Sequence, residues 1–149
     1  MARPRLPAAA LHDSPDDVEA QFYEALQQGD IAKLMAVWAD DDEIVCVHPG
    51  GARLIGAAGI RASFDAIFGN GPVPAHPEQV HRVRSVGCAV HHLVERIAVQ
   101  TNEGMQTGWV LATNVYLKTA LGWRLVAHHA SPGASRELSE VVEAPSTLH

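Results

Sequence analysis

Val45-Cys46-Val47-His48-Pro49-Gly50-Gly51, with Gly56-Ala57-Ala58-Gly59-Ile60-Arg61-Ala62-Ser63-Phe64-Asp65-Ala66-Ile67-Phe68 close behind, decides the fold of this chain. A short apolar strand, Glu43 to Val47, breaks at a Pro-Gly-Gly turn, and Arg53-Leu54-Ile55 offers a second short strand. A helical period then begins, with Ile60, Phe64, Ile67 and Phe68 on one face. Two helical segments precede this stretch and only strand-like segments follow it.

On the N-terminal side, Ser14-Pro15-Asp16-Asp17 reads as a helix start. The serine caps, the proline suits the first turn, and the acids complement the positive end of the helix dipole. Val18, Phe22, Ala25 and Leu26 carry the inner face and Gly29 ends the helix. Asp30 caps a second helix with Ile31, Leu34, Met35 and Trp38 inward, closed by the acidic turn Asp40-Asp41-Asp42-Glu43.

On the C-terminal side, Gly69 to Pro77 reads as a loop. Val80, Val83 and Val86 then mark a strand whose uneven spacing predicts a bulge. Val90 to Thr101, Met105 to Lys118 and Trp123 to Ser131 are three more strands, joined by short turns and therefore antiparallel neighbours. The expected organisation is a tail over 1–13, one domain over 14–131 and a polar tail over 132–149.

Composition narrows the function classes. The 149 residues carry a formal net charge of −6 with scattered Lys and Arg, which argues against nucleic acid. No apolar run reaches the ~18 residues of a membrane span, and prolines interrupt the first seven residues where a signal peptide needs an apolar stretch. The expected location is therefore cytoplasmic. The two cysteines, Cys46 and Cys88, form no CxxC pair and read as buried free thiols, with a disulfide left open by their unknown separation.

Trp38 before the acidic turn, the Glu43–His48 strand leading into Gly56…Ile60…Phe64…Phe68, and the closing Gly122-Trp123-Arg124-Leu125-Val126-Ala127-His128-His129-Ala130-Ser131 together resemble the nuclear transport factor 2-like, or SnoaL-like, superfamily. The resemblance spans about Val18 to Ser131. It implies an α+β, cystatin-like cone: three N-terminal helices on a strongly curved, mixed, mostly antiparallel sheet of about six strands, wrapped around the third helix. It further implies an apolar pocket between sheet and helices, and homodimers through the outer sheet face. Relatives include steroid isomerases, dehydratases, epoxide hydrolases and polyketide cyclases. The isomerases pair a carboxylate base with a tyrosine and a protonated aspartic acid; Tyr23, Tyr116, Glu95 and Glu103 give no residue-by-residue match to that set.

Nine histidines supply the acid–base candidates. Plain alternation along the last strand places Trp123, Leu125, Ala127 and His129 on the pocket side and Arg124, Val126 and His128 outside. His129 then reads as the pocket histidine, either a core residue held by one hydrogen bond, an acid/base group or a metal ligand; Asp42 is its acidic companion at the pocket mouth. Trp38, His48, Phe64, Tyr116 and His129 are the expected ligand contacts. The inward face stays open for the His91-His92 pair and for Trp109. No HxH, HxxxH or HExxH spacing points to a metal, no GxGxxG or GxSxG motif occurs, and no cofactor is expected. Three readings follow: a protein that binds a small, mostly apolar organic molecule; an isomerase, dehydratase or cyclase using a pocket His or Asp; and a dimerisation module with no ligand. A cavity below about 300 Å³ favours the third, and a carboxylate in the pocket favours the second.

Overall fold

The computed structural model describes residues 12–133. The expected tails fall outside this range, except for 12–13 and 132–133. The elements are α1 (Pro15–Gln28), α2 (Ile31–Met35), β1 (Val45–Val47), β2 (Arg53–Ile55), α3 (Ala57–Phe68), β3 (Ala75–Arg84), β4 (Cys88–Thr101), β5 (Gly104–Thr119) and β6 (Gly122–Pro132). The six strands form one mixed sheet in the order β2-β1-β6-β5-β4-β3, with β1 parallel to β6 and the other neighbours antiparallel. This is the expected α+β, cystatin-like architecture.

Local chemistry sets the helix ends as the sequence implies. Ser14 Oγ accepts from Asp17 N at 3.1 Å, and Gly29 closes α1 in the left-handed region at φ 66°. Asp30 caps α2 through Lys33 N at 3.0 Å. The second helix is shorter than its periodicity suggests. Leu125 N donates to Val37 O at 2.9 Å and Ala39 N to Leu125 O at 2.9 Å, so the chain leaves the helix to add a rung beside β6. These two bonds pair backbone groups that the helix end would otherwise leave without partners. Trp38 thereby becomes a residue of this rung rather than of a helix face.

The loop expected up to Pro77 ends earlier, because Ala75, His76 and Pro77 pair with Ile97, Arg96 and Glu95. Proline is tolerated there because β3 is an edge strand. The expected bulge lies between Glu78 and His81, where Gln79 takes φ 52°.

The core lies between the inner sheet face and the helices. α1 covers most of that face, burying Val18, Glu19, Phe22, Tyr23, Ala25 and Leu26, whereas α3 buries only Ile60 and Phe64. The sheet therefore packs chiefly on the first helix, which corrects the expectation that the third fills the cone. Phe22 links the two helices, its ring edge-on to Phe64 at 6.2 Å and to Tyr23 at 5.0 Å. The β5–β6 turn depends on Gly122, at φ 104°, where an added Cβ would come 2.5 Å from the His12 carbonyl oxygen. Gly122→Ala is expected to lower stability by about 1–3 kcal/mol, read as a lower urea midpoint; an unchanged midpoint would contradict this account of the turn.

Candidate functional site

β6 decides which histidine meets the pocket. Val115 pairs with Ala127 but Tyr116 pairs with Leu125, so Val126 is an extra residue in β6. Such a bulge moves the alternation by one position. Trp123 and Leu125 point inward before it, and His128 and Ala130 after it. His128 is 4% exposed, whereas His129 is exposed on the outer face. The expectation of an inward His129 is thus corrected, and no role in the pocket follows for it.

The inner faces of the neighbouring strands are equally defined. β4 turns Ala89, His91, Leu93 and Glu95 inward, and β5 turns Val110, Ala112, Asn114 and Tyr116 inward. His92 is exposed, and Trp109 belongs to the outer face.

Of these inward residues, Glu95, His128 and Ala130 border a cavity of about 140 Å³. Its walls are Phe22, Leu26, Phe64, Ile67, Val73, Ile97, Ala130 and Pro49, and its polar side chains are His48, Glu95 and His128. His48 follows β1. Its ring packs edge-on against Phe64 at 4.8 Å, and its Nε2 lies 2.9 Å from Ser63 Oγ. Burial lowers its pKa.

Glu95 is 5% exposed and sits at the centre of a polar chain. Tyr23 OH donates to Glu95 Oε2 at 2.8 Å, and Asn114 Nδ2 donates to Tyr23 OH at 3.2 Å. Asn114 Oδ1 lies 2.5 Å from His128 Nδ1, and His128 Nε2 is 3.9 Å from Glu95 Oε2. Burial pushes the Glu95 carboxyl up to about 7, against the opposing pull of the Tyr23 hydrogen bond. Burial pushes His128 down to about 3, helped by the nearby His48 and His129. His128 is therefore neutral at physiological pH, and Glu95 titrates there. A carboxyl on a cavity wall with a pKa near 7 can both take and return a proton.

Deeper in the core, Glu19 Oε2 contacts His91 Nδ1 and accepts from Tyr116 OH at 3.0 Å. Tyr116, an expected ligand contact, is fully buried and lies outside the cavity wall. Asp42 is exposed in the acidic turn, also away from the cavity. Trp38 lines a different cleft of about 280 Å³ on the outer side of the sheet, with Asp40, Asp41, Leu117, Leu121 and Arg124. Trp38 Nε1 and Arg124 Nη2 are buried there without a hydrogen-bond partner among the described residues. Of the expected site residues, the fold thus brings only His48 and Phe64 to the cavity.

Sequence reasoning missed Glu95, His128, Tyr23 and Asn114 as a group. A signal existed for two of them: Glu95 falls in phase with His91, Leu93 and Ile97, and Asn114 with Ala112 and Tyr116. A polar residue on an apolar strand face is more informative than an exposed one.

Cys46 and Cys88 are free, and burial raises the Cys46 thiol to about 12. Among the described residues no group of three or more His, Cys, Asp or Glu side chains is placed to hold a metal ion. No helix among them is long and apolar enough to cross a membrane.

The family profile described as a SnoaL-like domain matches residues 16–135. Among solved structures, a candidate calcium/calmodulin-dependent protein kinase type II association domain from Thiobacillus denitrificans is 35% identical, with a TM-score of 0.74, covering 81% of this chain and 96% of that one. A candidate dehydratase of the nuclear transport factor 2-like family from Streptomyces avermitilis is 29% identical, with a TM-score of 0.69, covering 77% and 90%. A nuclear transport factor 2-like protein of unknown function from Pseudomonas putida, 19% identical with a TM-score of 0.69 over 87% and 92%, shares the fold. No curated protein matches.

Proposed function

This chain belongs to the SnoaL-like domain family, and from that footing we propose that it binds a small, mostly apolar organic molecule between α1, α3 and the sheet, with Glu95 as the acid–base group that exchanges a proton with it. The single observation carrying this reading is the Glu95 carboxyl, buried on the cavity wall and held near neutrality. A domain serving only to pack or to dimerise has no need of a half-ionised carboxyl there, since burying one without a charged partner is costly. The volume of about 140 Å³ lies below the usual ligand range and matches a single six-membered ring, since a dry cavity of ~150 Å³ holds benzene. By size alone the cavity favours a module without a ligand; the carboxyl in its wall favours proton transfer, and a ligand there is no larger than one ring. Proton transfer of this kind fits an isomerase, dehydratase or cyclase, and the Streptomyces relative is a candidate dehydratase.

A thermal-shift screen of single-ring alcohols, phenols and ketones tests the binding. We expect at least one class to raise the melting point; a flat response across all three would remove the reading. Ketone hits, whose α carbons are acidic enough to exchange, should gain carbon-bound deuterium in D2O with the native protein and not with Glu95→Gln. Equal exchange with both would remove Glu95 from the proton transfer.

A second reading, self-association through the outer sheet face, rests on the outer cleft and on the association-domain relative. Leu117 and Leu121 are 40% and 61% exposed beside Trp38 Nε1 and Arg124 Nη2, which have no hydrogen-bond partner among the described residues. Sedimentation equilibrium should give a homodimer for the native chain and a monomer for Leu117→Asp. A native monomer would end this reading. We place the protein in the cytoplasm, in keeping with its free thiols.

A further inference from the structure

We infer that, with Glu95 ionised, the cavity selects a ligand carrying a hydrogen-bond donor, a neutral hydroxyl on a small ring, because its side chains then present acceptors alone. This deepens the proposed function and rests on its pocket.

The direction of each hydrogen bond follows from counting protons. An ionised Glu95 has none, so Tyr23 donates to it at 2.8 Å. A phenol has one proton, so the Tyr23 oxygen accepts from Asn114 Nδ2 at 3.2 Å. That orientation leaves Asn114 Oδ1 facing His128 Nδ1 at 2.5 Å, and a carbonyl oxygen accepts. Neutral His128 therefore holds its proton on Nδ1 and keeps a bare lone pair on Nε2, 3.9 Å from Glu95 Oε2. Asn114 is thus a positioning residue that sets the tautomer.

The same count applies at His48. Ser63 Oγ donates its proton to Ile60 O at 2.7 Å, so it accepts from His48 Nε2 at 2.9 Å. His48 then keeps its bare lone pair on Nδ1. Cys46 Sγ, 3.8 Å from His48 Nε2, adds no donor to the wall. Glu95, His128 and His48 are the polar side chains of the lining. With two acceptors 3.9 Å apart, a donor placed between them satisfies one and relieves their mutual repulsion. A carbonyl or ether oxygen in the same place meets lone pairs and stays unpaired. A hydroxyl brings a donor without a second charge to desolvate.

Cyclohexanol and cyclohexanone make a size-matched test, run by calorimetry on the native chain at pH 8.5, where Glu95 is ionised. The alcohol should bind about ten- to hundredfold more tightly. Equal affinity, or preference for the ketone, overturns the donor rule while leaving the pocket in place. If neither binds nor any other single-ring compound does, the pocket reading falls and this inference falls with it. Independently, 15N-detected histidine spectra at the same pH should show His128 protonated on Nδ1 and His48 on Nε2. A His128 proton on Nε2 would reverse the chain and overturn the rule.

Discussion

Glu95→Gln is expected to be more stable than the native protein at pH 8.5, by about 3 kcal/mol, and nearly equal to it at pH 4.5. Burial raises the folded pKa of Glu95 from 4.5 to about 7. A carboxyl raised in this way contributes its full stability below the unfolded value and loses it as pH rises through the folded one. At about 1.4 kcal/mol for each unit, the loss across that window is about 3 kcal/mol. Glutamine imitates the protonated form and has nothing to lose. The difference between the two urea-derived stability curves isolates Glu95 from other titrating groups. Those groups matter for each curve alone. His128 is depressed from 6.5 to about 3, so its contribution is present above 6.5 and disappears as pH falls toward 3. His48 shifts in the same direction. Glu95 and His128 therefore oppose one another between about 4.5 and 6.5, and the native curve should be shallow there. A variant-minus-native difference that stays flat from pH 4.5 to 8.5 would show that Glu95 is not held near neutrality, and would undermine the acid–base assignment.

The other large effect is expected from Glu19→Ala, a loss of about 3–5 kcal/mol. Glu19 is 5% exposed and is the shared partner of His91, 2% exposed, and Tyr116, fully buried. Its removal leaves two buried polar groups with no acceptor, and each unsatisfied group carries a desolvation penalty of about 1–3 kcal/mol. Glu19→Gln keeps an acceptor for Tyr116 and should cost less than half as much. Urea midpoints at constant slope give both numbers. A Glu19→Ala loss below about 1 kcal/mol would mean that the pocket-distal network contributes little to the fold, contrary to the burial of its members.

These two carboxylates also mark how much of the site the sequence carries. Glu19 lies with Phe22, Tyr23 and Leu26 at the i, i+3, i+4, i+7 spacing of one helical face, so an acid on the buried stripe is readable beforehand. Glu95 lies in phase with His91, Leu93 and Ile97. Periodicity alone leaves open which face of β4 is covered. That depends on α1, whose Tyr23 is the residue that reaches Glu95. The His128–His129 pair is a different case. Alternation is a reliable rule within an uninterrupted strand, and it selects His129. The extra residue at Val126 breaks the rule one turn of the pleat before the pair, and the bulge belongs to the pairing of β5 with β6 rather than to either strand's own sequence.

What is local was legible in the chain alone. Capping residues, glycine stops and apolar periods set the helices, and short turns between long β-rich runs set the antiparallel meander; each of these is decided within a few residues of chain. Tertiary structure decided what is relational. The rung at Val37–Ala39, the phase of β6, the meeting of Tyr23, Asn114 and His128 at Glu95, and the near-neutral pKa of that carboxyl all require groups far apart in the chain to exclude water together. Desolvation is a property of the assembled surroundings, and no single residue encodes it.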